Sequence, residues 1–201
     1  MTVTWNPLDK DSDITLSNGD LTASSGSNFA AVRATLGRST GKWYFEGVWT
    51  GKLAFLGLSN GDTSLNGDLL NSDQWGIRGL SASAFLQVSD DGNAYTSDAY
   101  TYAAGHIFQV AVDFDAKKVW FGYDNTWVGS GNPAAGTNPA GSTVEYLFGN
   151  HLIYPAWSGR TSTSVDVRFL LASFSYTPQV VFLRGIALLT QISLWRHSCW
   201  S

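Results

Sequence analysis

Short β-rich runs, each closed by a cluster of Gly, Asn, Asp or Ser, follow one another along this chain, and that punctuation restricts the fold more than any other feature. Ile14–Leu16 and Leu21–Ala23 flank Ser17-Asn18-Gly19-Asp20. Asn-Gly predicts a hairpin there, because a type I′ turn needs positive φ at both central positions. Lys42–Trp49 turns at Thr50-Gly51 into Lys52–Leu58, and Asp115–Lys118 joins Ile107–Phe114 to Val119–Tyr123. Leu152–Trp157 and Ser164–Phe169 complete the set. Phe108, Val110, Val112 and Phe114 fall on one face of their run, with Gln109, Ala111 and Asp113 on the other. Val165, Val167 and Phe169 alternate in the same way with Ser164, Asp166 and Arg168. Such alternation predicts strands with one face in a core and one in water. No segment before residue 178 keeps apolar positions at helical spacing over three turns, and no internal repeat is present. The expectation is all-β, an antiparallel β-sandwich.

The 201 residues are 44% hydrophobic and 14% charged, a balance that supplies a core and excludes disorder as the default. A net charge of −4 is the wrong sign for a phosphate-binding surface, so no nucleic-acid partner is expected. A lone cysteine, Cys199, rules out a disulfide framework and any site needing several thiolates. The first residues lack the basic stretch and apolar run of a secretory signal. The longest apolar stretch, Val180–Leu189, is broken by Arg184 and Gly185 and falls short of the roughly 20 residues of a membrane helix. A soluble protein without membrane insertion, made in a cytoplasm, is therefore expected. Two long loops, Ser59–Asp73 and Gly129–Ser142, have the length and composition of functional loops.

These residues carry a family resemblance. Gly41-Lys42-Trp43-Tyr44-Phe45-Glu46, Leu56-Gly57-Leu58-Ser59 and Gln74-Trp75-Gly76 resemble successive signatures of SPRY (B30.2-like) domains. The stretch Gly105–Phe121 is similar to the family's long strand, turn and strand ending in Trp-Phe, and Tyr154-Pro155-Ala156 to its late strand. Val3-Thr4-Trp5-Asn6-Pro7 and Asn132–Pro139 resemble the variant found in bacteriophages and prophage-carrying bacteria. His106 and Gln109 depart from the family's more usual Asp and Gly, and Tyr123-Asp124 replaces its Ser-Lys pair. The resemblance implies a concanavalin-like jelly roll over residues 1–178, with ligands docking on loops at one end. Residues 179–201 resemble nothing in the family and form an apolar C-terminal extension.

Catalysis finds little to work with. Glu occurs only at positions 46 and 145, so the paired carboxylates of a glycosidase are hard to assemble. Glu46, opposite in direction to Phe45 along its strand, fits a pairing with Lys or Arg on a neighbouring strand. Asp113-Phe114-Asp115 reads as strand end and hairpin turn rather than as a metal-binding pair. His106, His151 and His197 lack triad partners, and no Gly-x-Ser-x-Gly elbow is present. Zinc spacing is absent, and Asp62, Asp68 and Asp73 do not follow a calcium-loop pattern. No cofactor or metal is expected.

The residues point instead to binding. Trp75, Tyr95, Tyr100, Tyr102, Tyr123 and Trp127 lie near loops, where aromatic side chains offer large contact area to a protein or to a glycan. Trp127 is the leading candidate, since it follows a hairpin tip and leads into the Gly/Pro loop. In the tail, Val181, Phe182, Leu183, Ile186, Leu188, Leu189, Ile192, Leu194 and Trp195 form an expected assembly interface, either native or the product of an altered reading frame. With the phage resemblance, these features imply a non-catalytic virion component, such as a capsid decoration, fibre or tail protein, that works as an oligomer. The alternatives are a bacterial cytoplasmic peptide-binding adaptor and a carbohydrate-active enzyme on a related sandwich.

Overall fold

The computed structural model describes residues 2–51, 53–67, 74–79, 85–90, 93–99, 105–140 and 151–178, with the backbone alone at 74, 85–90 and 93–99. Among the described residues, fourteen strands form two antiparallel sheets. The first runs β1 (Trp5–Lys10), β4 (Ala30–Ala34), β13 (Ile153–Gly159), β6 (Ala54–Asn60), β7 (Gln74–Gly79), β8 (Phe85–Asp90), β9 (Asn93–Ala99). The second runs β12 (Thr126–Trp127), β11 (Lys118–Tyr123), β10 (Ile107–Asp113), β5 (Lys42–Thr50), β14 (Ser164–Arg168), β3 (Thr22–Ser25), β2 (Ile14–Ser17). Among the described residues the only helical pieces are single 3₁₀ turns at Val128–Ser130 and Leu171–Ser173. The predicted antiparallel β-sandwich is the observed one.

The alternation in sequence becomes the wall of the core. Phe108, Val110, Val112 and Phe114 point between the sheets together with Phe45, Phe121, Val165 and Val167, all buried. Facing them from the first sheet are Val32, Leu56, Leu58, Trp75, Ile77 and Trp157. Burying one such side chain contributes about 1.5–3 kcal/mol. Trp49 stacks flat on Phe108, ring centroids 3.5 Å apart and 5° from parallel. Trp5 meets Phe169 edge-on at 5.6 Å.

Glycine leaves room for a ring on the back of the first sheet. Gly57 and Gly76 are direct cross-strand partners, and a Cβ on Gly76 would stand 2.2 Å from the Phe55 ring. Phe55 thus packs on the outer side of the first sheet with Ala31 and Ala156, under Leu65. The backbones approach closely at these glycines, a Cβ on Gly57 falling 1.9 Å from the Trp75 carbonyl oxygen, without a bulge in the β6–β7 register.

Three expectations change. Thr50-Gly51 does not fold β5 back onto β6; it carries the chain from one sheet to the other, since β5 pairs with β10 and β14 while β6 pairs with β13 and β7. The β2–β3 turn is closed by the Leu21 amide on the Asn18 carbonyl at 3.3 Å, so Gly19 and Asp20 are its central residues, each at φ +63°. The turn chemistry is as expected but slips by one residue. Most important, the outer face of the second sheet is not left to water: Tyr44, Glu46, Gln109, Ala111, Asp113 and Trp120 are all buried there. Hairpin-tip residues Asp124 and Asn125 adopt the left-handed conformation that Asp and Asn tolerate, at φ +42° and +63°.

Candidate functional site

Strand register lays polar residues in a row across that outer face. Arg168 on β14 opposes Glu46 on β5, Glu46 opposes Gln109 on β10, Gln109 opposes Gly122 on β11, and Gly122 opposes Trp127 on β12. A second row beside it is apolar: Tyr44, Ala111 and Trp120 form a buried cluster against which Trp127 and Phe174 pack. A third row holds the Lys42–Asp113 ion pair at 2.7 Å, with Asp113 also accepting from the Ala116 amide.

Glu46 is the centre of the first row. Its carboxylate is fully buried and accepts from the Tyr44 hydroxyl at 2.8 Å and from Arg168 Nη1 at 3.2 Å. The backbone amides of Ser175 at 2.7 Å and Tyr176 at 2.9 Å complete the set. Two different oxygens are engaged by an ion pair, a hydroxyl and two amides, the kind of satisfaction a buried carboxylate requires. Tyr44 in turn accepts from Gln109 Nε2 at 2.9 Å, and Gln109 Oε1 accepts from the Asn125 amide at 2.7 Å. Burial, with the charge of Glu46 adding to it, pushes the Tyr44 hydroxyl far above its ordinary range, so Tyr44 stays a neutral donor.

Trp127 sits at the far end of this row. A Cβ on Gly122 would lie 3.0 Å from its ring, so glycine is what allows the indole to settle against β11. From Val128 the chain turns back over Trp120, whose Nε1 donates to the Thr137 carbonyl at 2.8 Å. Lys118 Nζ donates to the Gly136 carbonyl and the Ala140 amide to the Val119 carbonyl. The described part of the Gly/Pro loop, 129–140, is therefore docked on the sheet and forms one wall of the face. On the opposite side of the row His106 pairs with Asp124, which also accepts from the Ile107 amide at 3.0 Å. Tyr176 is raised by burial and by the nearby charges of Asp124 and Glu46.

The other long loop is organised by a cation from within the chain. Arg33, 5% exposed, makes a two-pronged pair with Asp9 at 2.8 and 3.0 Å and donates to the carbonyls of Asn60 and Thr63. Asn60 Oδ1 accepts from the Asp62 and Thr63 amides and the Thr63 hydroxyl. Residues 68–73 of this loop lie outside the described residues. Among the described residues no three His, Cys, Asp or Glu side chains gather in a way that could hold a metal.

The six aromatic candidates separate. Trp75 is a correction: it is 0% exposed and faces the core, because it alternates with Gly76 on β7 and shares its direction with Ile77. Tyr123 is half-buried and packs on the inter-sheet core. Trp127 is half-buried on the outer face, where it meets the apolar cluster. Tyr95 lies on β9 with only its backbone described, and Tyr100, Tyr102 and the tail positions from Val181 to Trp195 lie outside the described residues. Glu46 pairs with a cation on a neighbouring strand, as its alternation suggested. Tyr44, Arg168, Ser175 and Tyr176 were not singled out from sequence, and Gln109 only as a departure from the family pattern. The available signal was alternation, which places Tyr44 and Glu46 on one face and Arg168 opposite Val167.

The sandwich is similar to that of solved SPRY domains. It matches the SPRY domain of human HERC1 at 16% identity and a TM-score of 0.61, over 81% of this chain and 96% of that one. It matches the TRIM65 PSpry domain at 14% identity and a TM-score of 0.64, over 84% and 92% of the two chains. Stonustoxin matches at 19% identity and 0.58, over 84% of this chain but 27% of its own. At these identities the likeness shows the fold, and the fold is the one the sequence signatures implied. No family model matches the sequence, and no curated protein does.

Proposed function

We propose that the chain is a non-catalytic protein-recognition module that presents the outer face of its second sheet. The observation that carries this is Trp127: a half-buried indole, seated on Gly122 and backed by Tyr44, Ala111 and Trp120, at the end of a row fixed by cross-strand register. A large aromatic held rigidly at the rim of a packed cluster is the usual form of an interface anchor. The SPRY-like fold supports the same reading. So does the state of the acids: Glu46, Asp113 and Asp124 are each engaged by cations or backbone amides, which suits structure better than proton transfer.

Panning a random peptide-display library against the purified chain tests the proposal. Enriched peptides should bind wild-type protein and lose most of their affinity to Trp127→Ala, while the melting temperature changes little. Absence of enrichment, or binding indifferent to Trp127, overturns it. A finer assignment, to a virion component such as a capsid decoration, fibre or tail protein, rests on the phage-type sequence resemblance, with residues 179–201 as the assembly segment. Mass spectrometry of purified particles decides it, and absence of the protein from them removes the virion role. A monomer in sedimentation would favour the adaptor alternative.

A further inference from the structure

Residues 170–178 follow β14 and cross the outer face without joining either sheet. Apart from one 3₁₀ turn at Leu171–Ser173 they have no regular structure, and Leu170, Leu171, Ala172, Ser173, Ser175 and Thr177 are exposed. What attaches this strap is a short pattern. Phe174 stands edge-on to Tyr44, ring centroids 4.9 Å apart and 84° between planes. The next two amides, of Ser175 and Tyr176, donate to the two oxygens of Glu46. The Ser175 hydroxyl accepts from Arg168.

The receiving groups are different in kind. Tyr44, Glu46 and Gln109 lie on β5 and β10 and Arg168 on β14, strands locked by continuous pairing. Glu46 also keeps Tyr44 and Arg168 as partners independently of the strap. The face is thus a preformed receptor for an extended segment that offers an aromatic ring, then a hydroxyl residue, with two consecutive free amides. Its resident segment, Phe174-Ser175-Tyr176, is held through few groups and flanked by the exposed Ser173 and Thr177, the kind of sparsely packed stretch in which local opening costs least.

We infer that the strap is a displaceable occupant of the recognition face, and that the partner is an extended protein segment carrying an aromatic residue followed by Ser or Thr. The inference rests on the recognition reading and names its ligand. While the strap is seated, an incoming segment meets a site that is open only part of the time, so its apparent affinity falls by that fraction. Loosening the strap removes the penalty.

The probe is a synthetic peptide with the sequence of residues 170–178, added to the full-length chain and followed by intrinsic tryptophan fluorescence and calorimetry. Expected is binding to Phe174→Ala at least about tenfold tighter than to wild type, as a competing internal occupant requires. The same peptide carrying Pro at the Ser175 position, which lacks the amide that meets Glu46, should lose that binding. If Phe174→Ala fails to fold, Ser175→Pro in the full chain loosens the strap at an exposed position instead. In wild type the Ser175 and Tyr176 amides should exchange with solvent well before those of β5 and β10. Equal affinity for wild type and loosened variants, no binding to either, or exchange as slow as in β5 overturns the inference. A panned peptide that depends on Trp127 but is indifferent to the strap variants removes the strap and leaves the recognition reading standing. Strap-peptide binding with no panned peptide at all removes the recognition reading and, with it, the partner inferred here.

Discussion

On the inner face of the second sheet, Phe45, Val110, Val112 and Phe121 meet the first sheet through apolar contact alone. On the outer face of the same strands, Tyr44, Glu46, Gln109 and Arg168 are joined by hydrogen bonds and one ion pair. The inner face resists any loss of volume, because packing there is dense and non-directional. The outer face depends on direction: its donors and acceptors are matched one to another, and taking out a shared member such as Glu46 strands several partners at once. One set of strands therefore supports both a core that defines the fold and a network that defines a surface.

Substitutions on the two faces should separate these behaviours. Phe108→Ala, on the inner face, removes the ring stacked on Trp49 and should cost about 3–5 kcal/mol in denaturant unfolding. Glu46→Leu strands Arg168 and two amides, and should cost about 3 kcal/mol; a cost well under 1 kcal/mol would show that the outer network adds nothing to the fold.

Tyr44→Phe keeps the ring and removes one donor, for about 1 kcal/mol. Its pH dependence is the sharper readout. The folded protein holds the Tyr44 hydroxyl neutral above the pH at which the unfolded chain releases that proton. The contribution is therefore complete below about pH 10 and declines as pH rises beyond it. The stability gap between wild type and Tyr44→Phe should narrow in that range. Trp127→Ala should be the mildest, lowering Tm by less than about 2 °C while most of the peptide affinity is lost. A fall as large as that of Phe108→Ala would place Trp127 in the core instead.

The inner face was legible in the sequence because it is written locally. Phe108 to Phe114 and Val165 to Phe169 announce their direction by alternation, and Asp124-Asn125 announces its turn by residue type. Trp75 obeys the same rule; its place beside Ile77 two residues on already pointed inward, and reading it by proximity to a loop missed this. The outer face is written at long range. Glu46 meets Arg168 and Ser175 across more than half the chain, and nothing near Glu46 says that two distant amides will converge on it. Residue type gave the composition of the Gly/Pro loop but not its docking on Trp120, which is fixed by backbone carbonyls with no side-chain signature. The turn at Thr50-Gly51 was visible as a change of direction, whereas the crossing between sheets depends on strands far away.

Arg33 joins the first strand to a loop some fifty residues later, through Asp9 on one side and the Asn60 and Thr63 carbonyls on the other. The amino-terminal segment is thereby part of the loop's foundation as well as a sheet edge. Trimming the protein to begin after β1 would leave a guanidinium stranded beneath the surface and unseat residues 60–63 with it. The sensible place to attach a tag or a fusion partner is ahead of Trp5, with Asp9 left where it is.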